Sequence, residues 1–227
     1  MPPAAPIPSI RDGVFFTHPG ALPRGKHRLP REEVVAIQRE RVMIAAVELL
    51  AAHGYRGTAA RDVCVRAGVS LTAFYENFAD RDQMLFTAYD RFIDVLLARL
   101  VGVSGAGSTW GAYVEEVIGA YFETLASDLV VARAFQVEMD AMGRPARARR
   151  RAALTGLADL LRTKHLEWDP MAGDRIPAAA YLTGVYGSRQ AASDALDVEP
   201  ADDEATRARL RVVQGDAVDW VTRLFGD

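Results

Sequence analysis

Residues 54–78 read GYRGTAARDVCVRAGVSLTAFYENF, two short segments hinged on Gly68-Val69. Thr58 stands where a side-chain oxygen caps a helix over 59–67, and Ser70 where one caps a second helix reaching about Asn77. Gly68 supplies the left-handed residue that ends the first helix, and Val69 plugs the small core between the two. Short helix, tight glycine turn and second short helix are the anatomy of a helix-turn-helix. Its second helix is narrow enough for a major groove, with the first turn facing base edges and phosphates. Spacing alone leaves two readings open, since any compact helical domain can make such a turn.

Working outward, the pattern stays helical. Upstream, Val35, Val42, Ala46, Leu49 and Leu50 recur at turn spacing after Pro30, which predicts a helix over 31–53 stopped by Gly54. Downstream, Asp80 and Gln83 form a capping-box pair that opens a helix to about Leu100. The small, flexible run GVSGAGS at 102–108 marks a boundary. Helical patterns follow at 109–127, 129–142, 145–168, 177–197 and 203–225, and no strand alternation is found. The fold class is all-α. It comprises an arm over 1–29, a three-helix helix-turn-helix domain over 30–80, a connecting helix over 81–101 and a helical domain over 109–227. The arm holds six of the eleven prolines and reads as flexible, with Val14-Phe15-Phe16 able to dock and Arg24, Lys26, His27 and Arg28 able to follow a phosphate backbone.

Composition narrows the function classes. Of 227 residues half are hydrophobic and a quarter charged, which excludes wholesale disorder. The single Cys64 forms no internal disulfide or cysteine zinc site and points to a cytoplasmic protein. No apolar run approaches the ~18 residues of a membrane span, and the proline-rich start lacks a secretory pattern. Residues 1–100 carry 13 Lys and Arg against 11 Asp and Glu; residues 101–227 carry 14 against 19. That asymmetry lets a polyanion meet the front of the chain. Catalysis finds no footing. His18, His27, His53 and His165 are scattered, and Ser104 lacks a nucleophile elbow. Gly105 and Gly107 lack the third glycine of a dinucleotide loop. No enzyme, cofactor or metal is expected.

Residues 42–86 (VMIAAVELLAAHGYRGTAARDVCVRAGVSLTAFYENFADRDQMLF) resemble the N-terminal DNA-binding domain of the TetR family of transcriptional regulators. The likeness rests on the alanine-leucine run ending in Gly54-Tyr55, then Thr58, Arg61-Asp62-Val63 and Ala67-Gly68-Val69-Ser70. It continues through Phe74-Tyr75, Phe78 and Arg81-Asp82. The resemblance implies a homodimer on a palindromic operator in double-stranded DNA, released by a small-molecule effector, most simply as a repressor. It makes Ser70 to Asn77 the recognition helix, with Leu71, Thr72 and Ala73 toward base edges. Thr58, Tyr75 and Arg81 then reach phosphates, Arg61 touches the backbone or an adjacent base, and Asn77 counts among the DNA contacts. Leu71, Thr72 and Ala73 depart from the commoner hydrogen-bonding trio, so their methyl groups would read thymine methyls. Glu76 adds a negative charge. Val63, Cys64, Ala67, Val69, Phe74 and Phe78 read as core.

The resemblance also implies a C-terminal ligand-binding and dimerisation domain. A small-residue stripe in 177–197 and an apolar face in the last helix suit a symmetric interface through Ala180, Gly184, Gly187, Ala191, Val213, Ala217 and Val221. Packing within one subunit is the other reading. Trp110, Tyr113, Phe122, Phe135, Met139, Trp168 and Tyr181 are the candidates for lining an effector pocket, although such residues also fill cores. Arg144, Arg147, Arg149, Arg150 and Arg151 crowd a helix start against its dipole. They form either a solvated face or a seat for an anionic ligand group. The competing function is a helical small-molecule or protein-binding module that has lost DNA binding.

Overall fold

The computed structural model describes residues 6–20, 29–105, 109–198 and 202–225. Among the described residues ten α-helices run in order: α1 (Arg31–His53), α2 (Ala60–Ala67), α3 (Leu71–Asn77), α4 (Arg81–Val101), α5 (Trp110–Ser127), α6 (Leu129–Gln136), α7 (Arg144–Trp168), α8 (Ala172–Arg175), α9 (Ala178–Leu196) and α10 (Asp203–Phe225). Single 3-10 turns cover Tyr55–Gly57 and Glu138–Met142. Among the described residues there is no strand.

Several helix starts follow the capping signals. Ser70 Oγ accepts from Ala73 N–H at 3.1 Å, and Asp80 Oδ1 from Gln83 N–H at 2.7 Å. Gln83 Oε1 reaches back to Ala79 N–H at 2.8 Å, closing the box one residue earlier than the usual reciprocal pair. Thr109 caps α5, and Asp128 caps α6 through Val130 and Val131 N–H. Thr58 does not cap α2. It is fully buried, its hydroxyl donates to Gly54 O at 2.9 Å, and the cap position falls to Ala59, whose side chain has no acceptor. The chain leaves α1 through Gly54 at φ 66°, and that tight exit turns Thr58 inward onto the end of α1.

Helix α1 is the axis of the fold. From Val42 to Leu50 every residue is buried, Glu48 included, because α2, α3, α4 and α6 pack around it. Residues 6–20 pack there too, and the expectation of a flexible arm is corrected for them. Ile10, Phe15 and Phe16 are buried. Phe15 stacks on Phe92 of α4 with centroids 5.3 Å apart, and Phe92 in turn lies 5.1 Å from Phe135 of α6. Ile10 N–H donates to Glu48 at 2.9 Å and Arg11 N–H to Asp128 at 2.8 Å. Three apolar side chains and satisfied backbone donors outweigh the entropy of ordering so short a segment. The expected basic contacts at Arg24, Lys26, His27 and Arg28 lie outside the described residues.

Helices α9 and α10 pack closely through the small stripe. A Cβ on Gly184 would lie 3.5 Å from the Phe225 ring, and one on Gly187 would lie 2.8 Å from the Trp220 indole. At Gly184 and Gly187 the stripe therefore serves contact within the subunit. Gly184, Ala217 and Val221 are buried inside the subunit and have no surface to give a partner. Ala180, Gly187, Ala191 and Val213 remain half-buried, while Val212 is exposed.

Candidate nucleic-acid interface

The turn between α2 and α3 has the predicted form. Gly68 sits at φ 64°, ψ 36°, and its N–H closes back on the end of α2. Beneath it Val63, Cys64, Phe74 and Phe78 are buried, with Phe74 and Phe78 rings 5.8 Å apart. Burial pushes the Cys64 thiol up from its ordinary range, so it stays protonated and packs. Ser70, Leu71, Thr72, Tyr75 and Glu76 are exposed and Ala73 is half-buried. Leu71 is 46% and Tyr75 55% exposed, large apolar surfaces held away from the protein's own core. The first turn of α3 is thus free to enter a groove.

Around this face the structure sorts the expected contacts. Arg61 is exposed at the start of α2. The Arg81 guanidinium lies over the Tyr55 ring at 4.1 Å, and its Nε is 3.4 Å from Asp82. Tyr55 hydroxyl also donates to Asp82 at 2.9 Å, so this trio fixes the arginine beside α3 while leaving part of it to solvent. Thr58 is corrected, because a fully buried hydroxyl reaches no phosphate. Asn77 is corrected as well. Its Nδ2 donates to Ala73 O at 2.7 Å and its carbonyl accepts from Arg39 at 2.5 Å, so it closes the helix instead of facing outward. Arg39 is the residue sequence reasoning missed. It lies 4.4 Å over the Phe78 ring and ties α1 to the end of α3.

The second half of the chain holds two adjoining cavities of about 60 Å³ each. The first lies among α5, α7, α9 and α10, the second between α4 and α7. Leu100, Tyr121, Leu154, Leu157 and Arg189 line both. Of the seven expected lining residues only Trp110 and Tyr181 do so. Phe122, Phe135 and Met139 are core, Phe135 packing on Tyr89 and Phe92. Tyr113 stacks with Trp168 at 5.1 Å beside the cavity. The walls are instead mostly aliphatic. Val114, Val117, Ile118 and Tyr121 recur along one face of α5, and Leu154, Leu157 and Leu161 along one face of α7. That spacing was readable, but it looks the same as a core-facing stripe.

At one end of the first cavity His165 is buried, stacked on Trp110 with centroids 4.0 Å apart, and its Nδ1 is 2.8 Å from Tyr181 Oη. Burial holds the imidazole below its ordinary pKa, with Asp169 opposing the shift weakly and Arg175 adding to it. The folded chain therefore binds this proton less readily than the unfolded chain. Stability is full above about pH 6.5 and falls as the pH drops through the lowered folded value. Thermal unfolding between pH 7 and pH 5 is expected to show that loss, and His165→Gln to flatten it. An unchanged pH slope in the variant would assign the loss to other groups.

Comparison with known proteins places this geometry. Residues 43–88 match the family described as bacterial regulatory proteins, tetR family. No curated protein matches the chain. The structure of the fatty acid degradation regulator FadR from Bacillus halodurans is similar, with a TM-score of 0.66 and 15% identity over 85% of this chain and 97% of that one. A bacterial regulatory protein in the tetR family from Rhodococcus RHA1 gives 0.63 and 20% over 83% and 97%. A transcriptional regulator from Rhodococcus sp. Rha1 gives 0.56 and 26% over 80% and 96%. The likeness thus extends well beyond the helix-turn-helix.

Proposed function

We propose that the chain, whose residues 43–88 match the tetR family of bacterial regulatory proteins, is a ligand-responsive repressor that binds DNA as a homodimer. The observation that carries this reading is α3, capped by Ser70 and turning Leu71, Thr72 and Tyr75 outward from a buried Phe74–Phe78 base. Two such helices enter successive major grooves of a palindromic operator. α3 itself has no Lys or Arg, so phosphate neutralisation falls to flanking arginines, Arg61 and Arg81 first. The dimer forms through the faces of α9 and α10 that their mutual packing leaves uncovered, including Val212. An effector in the space under α7 releases DNA by favouring a conformation whose α3 helices no longer match the groove spacing. Nothing in this reading calls for an enzymatic step, and among the described residues no helix is long and apolar enough to cross a membrane.

Glu76, exposed on α3, favours a second reading, a ligand-binding module without DNA binding. A gel shift on DNA from upstream of the gene, run across salt concentrations, separates the two. Arg81→Ala is expected to weaken binding uniformly across sequences and to reduce the magnitude of the log–log salt slope by about 1.8, roughly 0.9 for each protomer of the dimer. No shift at low salt by the unaltered protein would leave only the module.

A further inference from the structure

The two cavities under α7 are apolar along most of their length and charged at one place. There Arg150 of α7 and Arg189 of α9 approach a single carboxylate. Asp140 pairs closely with Arg150, while Arg189 lies 3.8 Å from it. Arg189 is only 6% exposed. Its remaining contacts are to the Gln136 carbonyl at 2.5 Å and, loosely, to Gln190 at 3.4 Å. Asp90, the other acid of this neighbourhood, is engaged by Arg149 at 3.0 Å. Two guanidinium groups against one carboxylate leave a surplus positive charge at the mouth of the cavities, with Arg189 buried and Asp140 partly exposed, an arrangement that favours an anion.

Unsatisfied polar atoms sit at the same place. Tyr121 lines both cavities, and its buried hydroxyl has the Gln136 side chain as its neighbour, at a geometry short of a full hydrogen bond, while Gln136 Oε1 has no donor. A buried phenol so loosely held has hydrogen-bonding capacity that a ligand acceptor would use. Both arginines also line an outer groove beside Leu182 and Tyr186 of α9, so the charged end is the end near solvent.

We propose that the cavity takes an apolar carboxylic acid as its anion, carboxylate between Arg150, Arg189 and the Tyr121 hydroxyl, and hydrocarbon along Val117, Leu157 and Leu161 toward Trp110. This inference rests on the ligand-responsive reading above and names the class of its effector. Of the five arginines that crowd the start of α7, Arg150 is the one that serves the site. Arg149 is spent on Asp90 and the Phe86 ring, and Arg144, Arg147 and Arg151 are exposed. Entry of the hydrocarbon widens the small void by moving α7, where Leu154, Leu157 and Leu161 are only half-buried.

The test is calorimetric titration of the full chain with octanoate and decanoate against octanol and decanol. The acids are expected to bind about tenfold or more tightly than the matched alcohols. Arg150→Gln should weaken the acids about tenfold and the alcohols far less, narrowing that preference, and Tyr121→Phe should weaken the acids several-fold. Equal affinity for acid and alcohol, an equal loss for both in Arg150→Gln, or no binding by either acid would overturn the proposal. DNA release is measured separately. Acid binding without release would sink the repressor reading and keep this site, whereas release by a neutral compound alone would do the reverse.

Discussion

Phe16→Ala is expected to lower the stability of the whole chain by about 3–5 kcal/mol, the usual cost of deleting a buried phenyl ring. The ring is 2% exposed, with the Arg91 guanidinium 5.0 Å over it, and its neighbour Phe15 stacks on Phe92. Removing it empties the joint where residues 6–20, α1 and α4 meet. Thermal unfolding should therefore drop by roughly 10 °C. Thr17→Ala is the matched control, because Thr17 contributes its backbone N–H to Glu40 and its side chain is exposed. Were the arm a tether, both substitutions would fall within about 0.5 kcal/mol of zero. A small effect of Phe16→Ala would refute the packed strap.

Glu48→Ala is expected to cost about 2–4 kcal/mol, for a different reason. Glu48 is the one acid among the nine buried residues of α1, 4% exposed. One carboxylate oxygen accepts from Ile10 N–H, and the other lies 2.5 Å from Arg66 Nε of α2. Truncation orphans a buried backbone donor and strands a guanidinium that also reaches Pro8 O at 3.3 Å. Arg66 is itself 26% exposed and stays partly hydrated, which keeps the loss below that of a fully buried pair. Glu48→Gln keeps an acceptor for Ile10 and should lose less. Arg66→Ala should lose less than Glu48→Ala, since it leaves Ile10 N–H satisfied. If Arg66→Ala proves the costlier of the two in chemical denaturation, the clamp on residue 10 contributes little.

These two sites show why the arm was misread. A proline-rich segment without periodicity carries no local signal of order, and Ile10, Phe15 and Phe16 find their partners 38 or more residues away or on another helix. The lining of the cavities under α7 is hard to read for a related reason. Aromatic side chains were expected to line them, but an aromatic ring fills a core as readily as it walls a cavity. Phe122, Phe135 and Met139 lie in the core, and Arg189, set among the small residues of α9, is one of the polar groups of the cavities, with Tyr121 and Arg150. On the helix-turn-helix, Ser70, Leu71, Thr72 and Tyr75 are exposed, whereas Thr58 and Asn77 turn inward.

What the chain alone determined is what depends on neighbours in sequence. The helices follow from apolar spacing and from caps such as Ser70 and Asp80, and the hinge at Gly68 from the left-handed backbone that glycine adopts without strain. Such interactions span at most a few residues, so they can be read in order. Which face of α1 meets residues 6–20, whether the small stripe of α9 serves its own subunit, and which arginine points into the cavity were settled only by packing. Those choices pair groups tens of residues apart. They minimise buried unpaired charge and empty volume for the whole molecule at once, a condition no single stretch of sequence contains.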